Sequence, residues 1–335
     1  MKPSVVIVAY RSGPHLGRCL DSLSPEHQGE LEVIVVDNGG GEEIADARRR
    51  PFVQIVSPGE NLGYAAGSNL GAKAAGGEVV VFLNPDTVAA PGAVAALARV
   101  LDDPSVGIAM ARLRLLDRPE LLNSSGNLLH VSGLAWMGGY GKPADTVTEV
   151  QDIPYACGAA LAVRADVFTE LGGFTEELFI YHEDVELGWS ARLQGLSVVV
   201  VPRADVYHDY EFGRHGRKHY FMERNRLVFV LSGYPSRLLL VLAPVLLAAE
   251  LAILALAAKE GWLRDKLAGW TWCARHAGWL LRHRRETQRL RRVPDRVLAG
   301  VLTPVIDPGA VDVPPAVRVL NPLVAAYWAL AKRAL

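Results

Sequence analysis

The most constraining feature of the sequence is an apolar run that ends abruptly in polar residues. Residues 79–83 are all apolar, and Asn84, Pro85 and Asp86 follow them directly. A short, continuous apolar run bounded by turn residues is typical of a strand buried on both faces, as in parallel sheets covered by helices. We therefore expect Asp86 to lie just past the carboxyl end of a central strand, which is where open α/β sheets bind ligands.

The first 115 residues repeat the pattern of a buried strand followed by a helix. Short connections rich in Gly, Pro and Asn separate these segments. The predicted strands are residues 4–9, 31–36, 53–56 and 78–83, and the predicted helices are residues 14–23, 45–49 and 64–75. This alternation predicts an α/β fold with a doubly wound, mostly parallel sheet.

The region from residue 116 to 230 is less regular. Glycines around residues 138–141, followed by Pro143, predict a long loop. Further strands are expected at residues 156–163 and 197–201, and a helix that begins near Glu183 and ends at Gly195 is expected between them.

Several polar residues lie at the ends of the predicted strands. Asp37 could accept hydrogen bonds from a base or a ribose, and Tyr10 could stack on a base. Turn chemistry explains Asp37 equally well, and Tyr10 could be an ordinary partly buried tyrosine. Asn61, Gly63 and Asn69 could bring backbone N–H groups to phosphate or sugar oxygens, although helix capping and close packing explain them as well.

A second set of residues could carry metal or acid–base chemistry. Asp86 could hold a divalent cation, and an N-cap role is a weak alternative because four residues separate it from a helix expected near Pro91. Glu183 and Asp184 begin a helix, where they could stabilise the helix dipole or supply a general base at a cavity wall. His208 could complete a metal site or be structural.

In their order and spacing these segments resemble the family-2 inverting glycosyltransferases with the GT-A fold, and especially the bacterial rhamnosyltransferase-like branch that builds surface polysaccharides. The resemblance covers about residues 3–230. It implies a GT-A type, Rossmann-like fold, with a mixed, mostly parallel sheet flanked by helices. The implied activity is inverting, metal-dependent transfer of one sugar, with rhamnose as a candidate. The residues that carry the resemblance are 5–10, Asp37, 61–69, Asn84–Pro85–Asp86, 157–159, Glu183–Asp184 and His208.

The resemblance also implies roles for individual residues. Asp184 is implied as the catalytic base, and Asp86 and His208 are implied as ligands of Mg²⁺ or Mn²⁺ beneath the donor pyrophosphate. The residues implied in nucleotide and donor binding are Ala9, Tyr10, Arg11, Asp37, Asn61, Gly63, Asn69, Asn84, Pro85 and Asp86. Those implied at the acceptor and donor pocket are Cys157, Gly158, Ala159, Glu183 and Arg224.

Two departures from the family pattern affect these expectations. The metal motif reads Asn84–Pro85–Asp86 rather than a pair of aspartates, so we expect the protein alone to hold a metal poorly and to bind metal and donor cooperatively. The Gln-x-x-Arg-Trp signature of processive synthases is replaced by Glu223–Arg224–Asn225–Arg226. That replacement favours the addition of one sugar over processive polymerisation.

The sequence predicts two regions of different character. A catalytic domain is expected over residues 1–230, with a nucleotide-sugar half to about residue 115 and an acceptor half over about 116–230. Residues 231–335 are expected to be helical, basic and membrane-associated. The chain has a net charge of −1, yet residues 237–335 contain 15 Lys and Arg against 7 Asp and Glu. A basic region of this kind favours an anionic partner, here an anionic membrane surface.

Residues 238–258 are long and apolar enough to span a bilayer core. Pro244 and Glu250 interrupt them, and a single crossing would place the basic residues that follow opposite a cytosolic catalytic domain, against the positive-inside rule. We therefore favour an interfacial or re-entrant helical hairpin; a buried helix of a soluble C-terminal domain is the alternative. The tryptophans expected near the lipid headgroups are Trp262, Trp270, Trp272 and Trp279.

A cluster of basic residues precedes this segment and could hold the pyrophosphate of a lipid-linked acceptor, or simply form a solvated face. These residues are Arg214, Arg217, Lys218, Arg224 and Arg226. The expected partners are a dTDP- or UDP-linked sugar, a glycan or lipid-linked acceptor and an anionic membrane. No nucleic acid is expected, and homo-oligomerisation is left open.

The expected location is the cytoplasmic face of the membrane, with peripheral or monotopic attachment. Three widely spaced cysteines favour a reducing compartment, and the N-terminus shows no signal-peptide cleavage pattern. Two other functions stay open. A nucleotidyltransferase is disfavoured because Ala9–Tyr10–Arg11–Ser12 stands where its Gly-rich phosphate loop is expected, and a degenerate nucleotide-sugar-binding module is disfavoured by the intact Glu183–Asp184 pair.

Overall fold

The computed structural model describes residues 1–29, 31–209, 216–309 and 315–335. Arg214, one of the predicted phosphate-binding residues, lies outside these ranges. The strands are β1 (Pro3–Ala9), β2 (Glu32–Asp37), β3 (Val53–Val56), β4 (Val79–Leu83), β5 (Thr87–Ala89), β6 (Val106–Leu115), β7 (Leu122–Ser124), β8 (Asn127–Leu129), β9 (Ala135–Met137), β10 (Gln151–Asp152), β11 (Ala160–Arg164) and β12 (Ser197–His208).

The helices surround the sheet and then continue as a C-terminal group. They are α1 (Pro14–Ser22), α2 (Pro25–Gln28), α3 (Glu42–Arg48), α4 (Gly63–Ala74), α5 (Ala93–Val100), α6 (Ala165–Glu170), α7 (Glu183–Gln194), α8 (Lys218–Gly233), α9 (Ser236–Glu260), α10 (Leu263–Arg275), α11 (Ala277–Arg289), α12 (Asp295–Val301) and α13 (Pro315–Ala331). Short 3-10 turns occur at Ala144–Thr146, Glu176–Leu178 and Lys332–Ala334.

The main sheet is mixed and mostly parallel, as the sequence predicts. Its order is β10-β12-β6-β11-β4-β1-β2-β3, with β5 and β7 added beside β12 and β6. Strands β3, β2, β1 and β4 are parallel, whereas β11 runs antiparallel between β4 and β6. All five residues of β4 are buried, which confirms the prediction of a central strand that ends at Asn84–Pro85–Asp86.

Two of the predicted strand boundaries are wrong. Residues 156–159 form a turn before β11, in which the N–H of Ala160 bonds to the carbonyl of Cys157 (3.3 Å). β12 continues beyond Val201 because a register shift against β6 between Val201 and Asp205 accommodates Pro202, and bulges tolerate the missing N–H of proline. His208 is therefore the last residue of a strand.

The irregular region 116–160 contains more strand than expected. The strands β7, β8, β9 and β10 are two or three residues long. Segments this short carry too few alternating residues to show a strand period in the sequence, and this is why a loop was predicted there.

Two hydrophobic clusters organise the chain. The larger fills the space around the main sheet. The smaller combines Trp189 of α7 and Phe229 of α8 with Leu242 of α9, Leu298 of α12 and Trp328 of α13. The C-terminal helices thus pack on the same core as α7, the helix that carries the predicted base. The domain boundary predicted near residue 230 falls inside α8, whose Phe229 and Val230 belong to this cluster.

Helix α9 is the one helix among the described residues that is long and apolar enough to cross a membrane. Leu238, Leu242 and Ala257 on one face are fully buried against the protein. Leu240, Leu247 and Leu251 on the opposite face are 76%, 63% and 59% exposed. Both faces of α9 are apolar, but one is buried against the protein and the other is exposed. A buried core helix, the alternative considered from the sequence, would be covered on both faces.

Candidate active site

The predicted base, Asp184, lies in the first turn of α7 and is held by backbone donors. Its Oδ2 accepts a hydrogen bond from the N–H of Gly158 (3.0 Å), and its Oδ1 accepts one from the N–H of Val185 (2.8 Å). Burial raises the pKa of Asp184 to about 6, against the opposing effect of these hydrogen bonds. A carboxylate with a pKa in this range is ionised at neutral pH and can still accept a proton.

The neighbouring Glu183 lies in a different environment. Its side chain is buried, and no described residue hydrogen-bonds to its Oε2 atom. Burial, followed by the charge of Asp184, raises the pKa of Glu183 well above its usual range. Burial and the neighbouring Asp184 charge thus both favour the neutral form of the Glu183 carboxyl, as expected for two acidic groups in close contact.

A cavity of about 320 Å³ opens in front of this pair. Of the predicted site residues, those that line it are Asn84, Cys157, Gly158, Ala159, Glu183, Asp184 and His208. The turn at residues 157–159 is fixed from behind, because the hydroxyl of Tyr64 donates to the carbonyl of Gly158 (2.7 Å). No role was predicted for Tyr64, Asn127 or Trp136, which also line the cavity. Lys218, one of the basic residues predicted to hold an acceptor pyrophosphate, lines it as well.

Asp86 and His208 come together at the carboxyl edge of the sheet. The His208 Nε2 atom lies 3.4 Å from the Asp86 Oδ1 atom. On the other side of the ring, Nδ1–H of His208 donates to Oδ1 of Asn123 (3.0 Å). This bond orients the ring so that Nε2 faces Asp86, the orientation that a metal-binding histidine requires. Asn123 was not identified from the sequence.

These two side chains fit a shared divalent cation. Neighbouring ligands of an octahedral cation lie about 3 Å apart when each is about 2.1 Å from the metal, close to the separation observed. No group of three or more His, Cys, Asp or Glu side chains that could hold a metal occurs in the described part of the chain. Asp86 and His208 would therefore supply only part of a coordination shell.

Apart from Asn84, the predicted nucleotide- and donor-binding residues do not line the cavity. Ala9 and Asp37 end β1 and β2 in register. Asp37 Oδ1 accepts a hydrogen bond from the N–H of Gly40 (3.0 Å), and Tyr10 is 39% exposed beside it. The guanidinium of Arg11 lies over the Tyr10 ring, 5.3 Å from its centroid. Tyr10 is thus accessible for stacking, and this role stays a prediction.

Asn38, for which no role was predicted, organises the adjoining loop. Its amide donates to Asn61 Oδ1 (2.9 Å) and to the carbonyl of Gly63 (3.1 Å), and its Oδ1 accepts from the N–H of Leu62 (2.8 Å). Gly63 has φ of +78°, and a Cβ there would lie 2.5 Å from the Phe179 ring. Glycine is therefore required where α4 meets the segment before α7.

Asn69 and Arg224, predicted at the donor and acceptor sites, are not among the described residues that line this cavity. The Asn69 amide donates to the carbonyl of Phe174 (2.8 Å), and its Oδ1 accepts from the N–H of Phe174 (2.9 Å). Arg224 donates to the carbonyls of Glu177 (2.8 Å) and Leu178 (2.7 Å). Both side chains hold backbone in place, because their polar atoms are used by carbonyl and N–H groups of residues 174–178.

The model of glycosyl transferase family 2 matches residues 4–172, just over half of the chain. The chain belongs to glycosyl transferase family 2. An N-acetylglucosaminyl-diphospho-decaprenol L-rhamnosyltransferase of Mycobacterium tuberculosis is 31% identical over 234 residues, which are 61% of this chain and 75% of the relative. A low-salt glycan biosynthesis hexosyltransferase, Agl10, of Haloferax volcanii is 25% identical and covers 62% of this chain and 66% of its own length.

Solved structures of glycosyltransferases share the fold. GalNAc-T7 with UDP, GalNAc and Mn²⁺ has a TM-score of 0.59 at 20% identity, and the match covers 70% of this chain and 48% of that one. S. aureus TarS 1–349 with UDP-GlcNAc has a TM-score of 0.55 at 16% identity and covers 100% and 89%. The mannosyltransferase PcManGT of Pyrobaculum calidifontis, with GDP-Man and Mn²⁺, has a TM-score of 0.51 at 17% identity and covers 99% and 86%.

These findings confirm the resemblance stated from the sequence. The chain is a glycosyltransferase of the rhamnosyltransferase-like kind, and its mixed, mostly parallel sheet flanked by helices is the GT-A fold. The neighbours that contain Mn²⁺ are consistent with a metal-binding site in this fold.

Proposed function

We propose that this glycosyltransferase transfers one sugar, with rhamnose as the first candidate, from a nucleoside-diphosphate sugar to a hydroxyl of a lipid-linked glycan, with inversion at the anomeric carbon. The observation that carries the proposal is a single cavity lined by Asp184, by the turn at residues 157–159 and by His208, which contacts Asp86. The proposed general base and the proposed metal ligand His208 thus line the same cavity, as a single displacement requires.

The chemical step follows from the states of the side chains. The Asp184 carboxylate takes the proton of the acceptor hydroxyl while that oxygen attacks the anomeric carbon from the face opposite the diphosphate. The new glycosidic bond forms as the bond from the anomeric carbon to the diphosphate oxygen breaks, and the nucleoside diphosphate leaves. Glu183, whose neutral form is favoured by burial, would in that form donate a hydrogen bond to a sugar oxygen in the same cavity.

Asp86 and His208 would hold a Mg²⁺ or Mn²⁺ ion together with oxygens of the donor diphosphate. When bound, such an ion offsets the charge that develops on the leaving group. Asn123 keeps the His208 ring oriented for this contact. Asn84, whose side chain is neutral, lines the cavity beside the pair without adding a carboxylate.

Lys218 is our candidate for binding an acceptor phosphate. It is the only Lys or Arg side chain among the described residues that line the cavity. Burial lowers its pKa to about 8, so it is still mostly charged at neutral pH. It begins α8, the helix that leads to the apolar α9. The name of the similar Mycobacterium tuberculosis enzyme also supports a phosphorylated acceptor, because it specifies a diphospho-decaprenol substrate.

Changing Lys218 is expected to weaken binding of a phosphorylated acceptor selectively. Lys218→Gln should raise KM for a lipid-diphosphate acceptor by about 10-fold or more, because a charge-assisted hydrogen bond contributes about 1.5–3 kcal/mol. KM for a neutral glycoside of the same sugar should not change, and Lys218→Arg should retain most of the affinity. Lys142→Gln, an exposed lysine outside the cavity, serves as control. Equal effects of Lys218→Gln on both acceptors would contradict the assignment.

We further propose that α9 attaches the enzyme to the cytoplasmic face of a membrane by lying in the interface. On the protein-facing side of α9, Leu238, Leu242, Val245 and Ala257 are buried, and Glu250 pairs with Lys266 (2.8 Å) and with Arg226. If α9 crossed the bilayer, these ion pairs would lie in the hydrocarbon core. Lying flat exposes only the opposite, apolar face to lipid. All three cysteines are free thiols, which fits a reducing compartment.

Charges on the outward face of α9 are expected to abolish membrane binding without unfolding the protein. Leu240→Glu with Leu247→Glu should lower partitioning onto anionic vesicles by about 10-fold or more per residue, because each buried Leu contributes about 1.5–3 kcal/mol. Leu281→Glu, at a similarly exposed leucine on α11 (56%), is the control. If the double variant floats with vesicles as well as the unaltered protein does, α9 is not the membrane-binding element.

The function itself is tested by assaying a panel of sugar nucleotides with a lipid-linked diphospho-GlcNAc acceptor. We expect release of a nucleoside diphosphate together with a product one sugar heavier. Release of pyrophosphate from a nucleoside triphosphate would identify a nucleotidyltransferase instead. Nucleotide binding without turnover on any donor would identify a degenerate binding module.

A further inference from the structure

The segment just before the Glu183–Asp184 pair has an unusual backbone. Phe179, Tyr181 and His182 have φ angles of +66°, +70° and +68°. Among the described non-glycine residues, only Arg11 shares this property. Aromatic and histidine side chains rarely adopt this conformation, and it persists only where surrounding contacts impose it. Something must therefore hold residues 179–182 in place in front of the base.

Those contacts come from one side chain of α8. The Nδ2 amide of Asn225, whose side chain is fully buried, faces the carbonyl oxygens of Leu178 (3.0 Å), Ile180 (2.8 Å) and Tyr181 (2.6 Å). One amide nitrogen thus gathers three carbonyls of a single loop. A backbone that turns its carbonyls inward in this way needs a buried donor, because otherwise those oxygens would be desolvated without partners.

Arg224 completes the clamp and orients Asn225. Its Nε donates to Oδ1 of Asn225 (2.7 Å), and its Nη2 donates to the carbonyls of Glu177 and Leu178. The Asn225 oxygen is thereby occupied by a donor, which turns the amide nitrogen toward the loop. The two side chains together contact carbonyls at four positions between residues 177 and 181.

The same turn of α8 is anchored on its other side. Arg226 Nη2 and Lys266 Nζ both bind Glu223 Oε2 (2.9 and 2.6 Å), and Lys266 also reaches Glu250 of α9 (2.8 Å). Burial alone would raise the pKa of Glu223, but Arg226 and Lys266 lower it to about 2, so the cluster stays ionised. Asn225 therefore projects from a rigid turn, fixed against α9 and α10.

We propose that Asn225, oriented by Arg224, is a positioning residue that sets the backbone of residues 178–181 and thereby aims the Asp184 carboxylate into the cavity. This inference rests on the proposed function, since it assumes that Asp184 is the base. The Glu223–Arg224–Asn225–Arg226 segment replaces the signature of processive synthases, and this inference gives the segment a structural role of its own. Asn225 contacts neither the cavity nor a substrate, so it acts only through the loop.

The test replaces the amide by a carboxylate at two matched places. Asn225→Asp puts an oxygen against three carbonyls in front of the base. Gln288→Glu makes the same change where Gln288 donates to the carbonyls of Ser232 (2.8 Å) and Gly233 (2.7 Å), at the other end of α8. For each variant, kcat is measured per nucleotide-binding site, together with donor KM and the affinity for the nucleoside diphosphate.

We expect Asn225→Asp to lose about 100-fold in kcat, as a displacement of about 1 Å at a reacting group can cause. Its donor KM and nucleotide affinity should stay near those of the unaltered enzyme, and Gln288→Glu should keep its kcat. Counting nucleotide-binding sites corrects for any unfolded fraction, and Asn225→Ala assayed in parallel gives a second, uncharged variant.

A kcat per site that is preserved in either Asn225 variant would overturn the inference, as would an equal loss in Gln288→Glu. The proposed function fails in a different way, since the unaltered enzyme would then release no nucleoside diphosphate with any sugar nucleotide.

Discussion

Asp184→Asn is expected to lower turnover by about 10²–10⁴-fold, the contribution typical of a positioned general base. The amide cannot take the proton of the acceptor hydroxyl. It keeps the size of the side chain and one oxygen that can accept from the N–H of Gly158, so the turn at residues 157–159 should stay in place. Donor affinity should therefore be unchanged in a titration with the nucleoside diphosphate.

The pH dependence gives a second reading of the same assignment. Because burial raises the pKa of Asp184 to about 6, kcat/KM of the unaltered enzyme should fall as the pH drops below about 6, where the base becomes protonated. Glu183→Gln should lose less activity than Asp184→Asn, since burial favours the neutral form of the Glu183 carboxyl, which the Gln amide resembles. Full activity of Asp184→Asn would exclude it as the base, and a larger loss in Glu183→Gln would exchange the two roles.

The second large effect is expected at the metal pair. Asp86→Asn should lower kcat/KM by about 10³-fold, because a cation at the leaving group supplies several kcal/mol of charge stabilisation. His208→Ala should raise the metal concentration needed for half-maximal activity by about 10–100-fold, and Asn123→Ala should shift it in the same direction by releasing the His208 ring. A titration of activity with Mn²⁺ and Mg²⁺ measures both.

The metal pair also makes a prediction about binding in the absence of donor. With only Asp86 and His208 supplied by the protein, calorimetry should show weak metal binding by the enzyme alone and tighter binding once a nucleoside diphosphate is present. His130→Ala is the control, because it removes another buried histidine ring that lies outside the cavity. Its metal titration should match that of the unaltered enzyme. Tight metal binding without nucleotide, or a metal titration unchanged in His208→Ala, would contradict the pair.

The sequence predicted the parallel half of the sheet well, because the signals there are local. β4 is five apolar residues followed by a proline, and β1 and β2 end at Ala9 and Asp37 as expected. Each of these strands is buried on both faces, and such strands show as continuous apolar runs. The carboxyl ends of parallel strands meet at one edge, so the position of Asp86 at the site followed from chain order alone.

The parts that the sequence missed depend on contacts between distant residues. Asn123 orients His208 from 85 positions away, and nothing near Asn123 marks it. Arg224 was expected in the pocket because it is basic, but its hydrogen bonds go to the carbonyls of Glu177 and Leu178. The sequence alone does not show whether an arginine binds a phosphate or backbone carbonyls. The fold distinguishes these two roles.

The C-terminal region shows the same limit. Glu250 was interpreted as a charge that interrupts an apolar helix, whereas it pairs with Arg226 and Lys266 on the protein-facing side. Trp270 donates to Glu250 (3.0 Å), and the Trp272 ring lies 4.8 Å from the guanidinium carbon of Arg224. These two tryptophans therefore contact the protein, although the sequence placed them near the lipid headgroups. The face of a helix that meets the protein cannot be assigned when both faces are apolar.

The anomeric configuration of the first product tests the central claim most directly. The enzyme is incubated with its sugar nucleotide and a lipid-diphosphate acceptor, and the new linkage is assigned by NMR before any further reaction. A single displacement with Asp184 as base predicts a product whose configuration is inverted relative to the donor. A product that retains the donor configuration would contradict it, because retention requires either two displacements or front-face attack, and neither uses a base placed as Asp184 is.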